Sequence, residues 1–190
     1  MSSSREKTQV KTIVMTAFFA AMIYLGIQSF RIPLPAAVGT PFVHFGHIFI
    51  MLSVVLLGTR GSMMAGVMGL LLFDVLNSYT HAIPNVFVST LLNCFFAGTA
   101  FSLLTKKANG DGRKEFTAAV VTAVVYGISN VVIDFLWSTC ELVILGSALP
   151  AALTAELTAI PAPIINAVFT VIGIAVLYIP VKGAYRRVMK

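Results

Sequence analysis

Polar and charged residues break the chain at intervals close to the thickness of a bilayer. Between the breaks lie about six apolar blocks, roughly residues 11–28, 44–58, 61–77, 84–105, 117–140 and 159–180. Each is near the length a helix needs to cross the hydrocarbon core, so the pattern predicts an all-α integral membrane protein with six transmembrane helices in a single domain over residues 1–190.

The basic residues give this pattern a direction. With the N-terminus inside, Arg5, Lys7, Lys11, Arg60, Lys106, Lys107, Arg113, Lys114, Lys182, Arg186, Arg187 and Lys190 all fall on the cytoplasmic side. Of the 13 Lys and Arg residues only Arg31 falls outside. Positive charge is retained inside, so both termini are expected to be cytoplasmic. A first helix removed as a signal peptide would invert the asymmetry of every later loop, and it is read as retained.

Composition agrees, with 58% hydrophobic and 11% charged residues. The net charge of +6 resides in loops and tails, where it sets topology and meets anionic headgroups, and argues little for nucleic acid. No Gly-Lys-Ser/Thr phosphate loop occurs, so any ATPase is expected on a separate chain. Cys94 and Cys140 have no CxxC or CxH neighbour, and a packing role is their default.

Several spans carry more than apolar bulk. In the first, Ala17 and Ala21 lie one turn apart; such a small-residue pair serves either internal helix packing or docking of a partner subunit. The third has Gly61, Ala65 and Gly69 at four-residue spacing and ends at Asp74, a local cap or a ligand. In the fourth, Asn85, Ser89 and Asn93 share a face behind Pro84.

The fifth span is the strongest local signal. Asn130, Asp134, Trp137 and Glu141 recur at i, i+4, i+7 and i+11, which predicts one stripe in its outer half. A carboxylate at membrane depth costs about 2.5–3.5 kcal/mol and faces a cavity, a partner or a pathway. The alternative is that Trp137 anchors at the interface while Asp134 pairs with another helix. The sixth span opens with Glu156, Pro161, Pro163 and Asn166, and the two prolines predict bent or unwound backbone lining a cavity. His44 and His47 at i, i+3 lack a third ligand at a fixed offset, so a polar mouth is preferred to a metal, and no cofactor is expected. Tyr79 and His81 belong to the same outer mouth.

Polar chemistry thus gathers in the outer half, above a body of small residues and basic loops. Neither a full-depth polar channel nor a pseudo-repeat of broken helices is visible. The pattern describes a cup open to the outside with no motor of its own.

Here the chain resembles a substrate-binding (S) component of an energy-coupling factor (ECF) transporter. The resemblance rests on Ala17-xxx-Ala21, on the run from Val43-His44-Phe45-Gly46-His47 to Gly58-Thr59-Arg60-Gly61, and on the Gly-rich helix ending Phe73-Asp74-Val75-Leu76-Asn77-Ser78-Tyr79. It covers almost the whole chain and is greatest toward the riboflavin, hydroxymethylpyrimidine and pyridoxine group. Where the family often carries an acidic residue this chain has His47.

The resemblance implies a prokaryotic plasma-membrane subunit, itself no enzyme, that binds a vitamin from outside and works with a transmembrane coupling protein and two cytoplasmic ATPases. It implies toppling in the membrane to release substrate, docking through Ala17 and Ala21, and a pocket built from outer loops and the outer parts of helices four, five and six. Substrate-binding candidates are Asp134, Trp137, Asn130, Glu141, Asn85, Ser89, Tyr79, His81 and Asn166.

A carboxylate beside an indole suits a flat ring carrying an amine or ring N–H. Vitamin B6 forms or hydroxymethylpyrimidine are therefore expected, with riboflavin or thiamine as alternatives. A self-sufficient secondary carrier, an intramembrane metal enzyme built on His44, His47 and Asp74, and a purely structural subunit are the competing classes. The segment 140–158 carries no readable pattern.

Overall fold

Two of the six apolar blocks run into one another. In the computed structural model, which describes residues 2–189, the long helices are α1 (Ser2–Gln28), α2 (Gly46–Leu76), α3 (Ile83–Ala108), α4 (Gly112–Ile144) and α6 (Pro161–Met189). A shorter α5 (Leu149–Ala159) precedes the last of them. Lys190 and the side chains of Arg5 and Lys7, three of the basic residues used above to set orientation, lie outside the described residues. Five helices, beginning at Gln9, Gly46, Thr80, Gly112 and Pro161, are long and apolar enough to cross a membrane.

The expected separate helices 44–58 and 61–77 are two arms of α2. Gly58 breaks the helix with φ 75° and ψ −178°, a backbone region open essentially to glycine alone. The arms fold back on each other. A Cβ built on Gly66 would lie 3.9 Å from Ile50 Cγ2, and the rings of Phe42, just ahead of α2, and Phe73, near its end, are 5.9 Å apart. Both ends of α2 therefore reach the same side of the protein. The arms are ~18 and ~27 Å long at 1.5 Å per residue, so the first falls short of a ~30 Å hydrocarbon core.

Helices α2, α3, α4 and α6 form a ring in which each touches the next and α6 closes back on α2, while α1 lies along α2. The α1 contact is backbone-close. A Cβ at Gly69 would stand 2.6 Å from the Ala20 carbonyl oxygen, which explains the small-residue spacing of that arm. Phe19, Ile23 and Ile27 of α1 pack with Ile50, Met51 and Leu52 of α2 in the core. Apolar side chains such as Ile128, Val176 and Ile179 stay exposed around the outside, as expected where lipid is the solvent.

Three features depart from the sequence pattern. Strands β1 (Arg31–Pro33) and β2 (Phe42–His44) pair antiparallel between α1 and α2, with Ile32 opposite Val43. Their connecting loop is fastened to α5 where the Ala37 N–H donates to Thr158 Oγ1 at 2.8 Å. The segment 140–158, unreadable as sequence, contributes the last turn of α4 and most of α5. Finally, Pro161 and Pro163 neither bend nor unwind α6. They occupy its first turn, where a missing N–H costs nothing, and Ile164 N still donates to Ile160 O at 3.2 Å.

Candidate functional site

A cavity of about 270 Å³ opens among β2, α2, α3, α4 and α5. Its α2 side carries His47, Leu70 and Asp74, with Phe42 and His44 from β2. Its α3 side carries Asn85, Ser89 and Asn93 on successive turns. From α4 come Tyr126, Asn130, Asp134, Phe135 and Ser138, and from α5 Glu156.

The polar groups are wired together across helices. Asn93 Nδ2 donates to Asn130 Oδ1 at 3.1 Å, and Asn130 Nδ2 donates to Asp134 Oδ2 at 3.1 Å. Ser129 Oγ donates to Asn93 Oδ1 at 2.6 Å, and Ser89 Oγ to Asn85 Oδ1 at 2.6 Å. The chain of amides holds the Asp134 carboxylate in a fixed rotamer while one of its oxygens stays free of the amide.

The histidines form a second set. The rings of His44 and His47 stack with centroids 4.5 Å apart. His44 Nδ1 accepts the Gly46 N–H at 3.1 Å, and His47 Nδ1 lies 2.8 Å from Tyr126 Oη. Both Nδ1 atoms are thereby occupied, and among the described residues no three His, Cys, Asp or Glu side chains converge as a metal-binding set.

Asn85, Ser89, Asn130 and Asp134 meet in the cavity. Asn166 stands behind it and brackets β2 to α6: its Oδ1 accepts from the His44 N–H at 2.9 Å and its Nδ2 donates to the Phe42 carbonyl at 3.1 Å. Tyr79 stacks on Phe73 at 5.9 Å and 17°, and His81 sits 6.1 Å from Tyr79; both lie outside the lining. Over this layer the Arg31 guanidinium lies 5.4–5.8 Å from the rings of Phe42, Phe73 and Tyr79, a cation–π contact that fastens the strand pair to the end of α2.

Trp137 and Glu141 are also off the lining; Trp137 is half-buried and Glu141 exposed. The α4 face toward the cavity runs through Val131, Asp134, Phe135 and Ser138. Trp137 is one residue from Ser138, about 100° around the helix, so the i, i+7 spacing from Asn130 carries it to the edge of that face. Glu156, which lines the cavity, is raised above the ordinary glutamate value, first by burial and then by repulsion from Glu141.

Sequence reasoning did not single out Tyr126, Phe135 or Ser138. Their signal is faint: a Tyr inside an apolar run, and two residues sharing the Asp134 face. Along α1, Ala17 and Ala21 are exposed, in a ladder with exposed Ile13 and Leu25, opposite the buried Phe19, Ile23 and Ile27. This ladder is not consumed by packing within the chain.

No curated protein sequence matches the chain. The structure is similar to that of ThiT from Listeria monocytogenes, at 16% identity and a TM-score of 0.62, with 95% of this chain and 98% of that one covered. At this identity the likeness establishes a common fold. The sequence profile of the ECF-type riboflavin transporter S component matches residues 7–183, nearly the whole length. The chain belongs to the family of ECF-type riboflavin transporter S components, membrane-spanning subunits of vitamin transporters.

Proposed function

We propose that the chain is the high-affinity binding subunit of an ATP-driven uptake transporter and that it takes a small, neutral or cationic heteroaromatic vitamin, with B6 forms or hydroxymethylpyrimidine preferred. The observation that carries this reading is the charge of the cavity. Among the described residues its lining holds the carboxylates of Asp74, Asp134 and Glu156 and no Lys or Arg. A carboxylate fixed by amides accepts charge-assisted hydrogen bonds from ring N–H, amino or hydroxyl groups and repels carboxylate or phosphate. Phe42, Tyr126 and Phe135 supply aromatic surface for a flat ring.

In this reading the two arms of α2 are the second and third of six membrane segments, the short first arm covering only part of the hydrocarbon core, with both termini in the cytoplasm of a prokaryote. The exposed Ile13–Ala17–Ala21–Leu25 ladder supports docking to a coupling protein that brings two ATPases. Asn130, Asp134, Asn85 and Ser89 contact the substrate. Trp137, Glu141, Tyr79, His81 and Asn166 act from behind the cavity wall or at its rim.

The family's name favours a second reading, riboflavin. Calorimetric titration of the purified chain with pyridoxine, pyridoxamine, hydroxymethylpyrimidine, thiamine and riboflavin separates the two. A one-site isotherm with submicromolar Kd for a single-ring compound supports the first reading. The same isotherm for riboflavin alone replaces it with the second.

A further inference from the structure

Asp74 sits at the end of α2 with 6% of its surface exposed, and it lines the cavity. Its Oδ2 is one of two buried side-chain polar atoms without a hydrogen-bond partner among the described residues, the other being Thr139 Oγ1. Nor does Asp74 form an ion pair among those residues: the salt bridges there join Glu115 to Lys182 and Arg186. His81 is near enough to feel its charge, and Arg31 lies over the ring of the adjacent Phe73, yet neither reaches the carboxylate. A buried carboxylate oxygen left unpaired costs more than a neutral hydroxyl in the same state, and it calls for an explanation. Here the unpaired oxygen, itself buried, belongs to a residue of the cavity lining.

The second acid of the cavity approaches from elsewhere. Asp134 is on α4, and α2 and α4 pack on either side of α3. A ligand between them meets one carboxylate already tied to an amide and one that no described residue pairs by a hydrogen bond or ion pair.

We propose that Asp74 is a second substrate-binding residue, accepting an N–H or O–H from a different edge of the ring than Asp134. The site thereby takes small heteroaromatics with donor groups on two edges and rejects their phosphate esters. The proposal rests on the substrate reading above and adds to it a specific residue and a selection rule.

The test uses the full chain in nanodiscs, as wild type, Asp74→Asn, Asp74→Leu and Asp134→Asn. Each is titrated calorimetrically with the five vitamins above and with pyridoxamine phosphate and riboflavin monophosphate, and each is melted without ligand. For the vitamin that wild type binds, Asp74→Asn is expected to weaken affinity at least tenfold and to narrow the discrimination against the phosphate ester by a similar factor. Asp74→Leu, which removes the unpaired group, is expected to melt no lower than wild type. Unchanged affinity in Asp74→Asn beside lost affinity in Asp134→Asn overturns the role of Asp74 and leaves the substrate reading standing. A lower melting temperature for Asp74→Leu makes Asp74 a structural residue and also overturns the proposal. Silence of wild type toward every compound overturns the substrate reading and Asp74's role with it.

Discussion

Asn93 donates from Nδ2 to Asn130 Oδ1 at 3.1 Å, joining α3 to α4 directly beneath Asp134. Both amides are nearly or fully buried, and each spends its groups on a neighbour: Asn93 Oδ1 on Ser129, Asn130 Nδ2 on Asp134. Asn130→Ala strands the Asn93 amide and releases Asp134. We expect it to destabilise the protein by about 1–3 kcal/mol and to weaken ligand binding at least tenfold. Thermal melting and calorimetry check the two effects separately. Full affinity in this variant would mean that Asp134 does not need the amide to hold its position.

Gly58 carries the reversal of α2 at φ 75° and ψ −178°, and a Cβ there would meet nothing within 4 Å. The obstacle to substitution is therefore backbone strain. Gly58→Ala should cost about 1–3 kcal/mol in a melting experiment. Gly69→Ala fails for the opposite reason, since its Cβ would stand 2.6 Å from the Ala20 carbonyl oxygen and push α1 off α2. A Gly58→Ala melting curve that overlays wild type would remove the strained turn from the account.

These two glycines mark how far the sequence reaches. Spacing of apolar blocks and basic loops located the long helices, and the break between blocks 44–58 and 61–77 fell at the reversal of α2, because helix length and charge are local properties. The strand pair Arg31–His44 escaped notice because three-residue strands leave no periodicity, and α5 did so because its alanines and leucines extend the neighbouring apolar run. In the site, the Asn85–Ser89–Asn93 face and the Asn130–Asp134 pair were legible from one helix each. The rotation that turns Ser138 inward and leaves Trp137 aside was not, because it depends on where α3 and α6 press on α4. The contact of His47 with Tyr126, 79 residues apart, left no trace in spacing.

Exposure of Ala17 and Ala21 gives a prediction confined to assembly. Replacing both with Leu should leave melting and ligand affinity within error of wild type, because neither residue packs inside the chain. Co-purification with a coupling protein and ATP-dependent uptake in proteoliposomes should both fall at least tenfold. Normal uptake would move the docking face elsewhere.

Glu156 supplies a pH dependence. Its value in the folded protein lies above the ordinary 4.5, through burial and then Glu141. Between the unfolded and folded values the folded state holds more protons, so this group's contribution to stability falls as pH rises through that window. Melting temperatures measured upward from pH 4.5 should decline less steeply in Glu156→Gln than in wild type. Parallel slopes would show that Glu156 is not desolvated by the cavity wall.

Binding of the substrate by the amide-held carboxylate on α4 is tested by paired calorimetric titration of wild type and Asp134→Asn with the tightest vitamin of the panel. We expect one site with submicromolar Kd in wild type and at least tenfold weaker binding in the variant, with an unaltered melting profile. Equal affinities in the two proteins would contradict it.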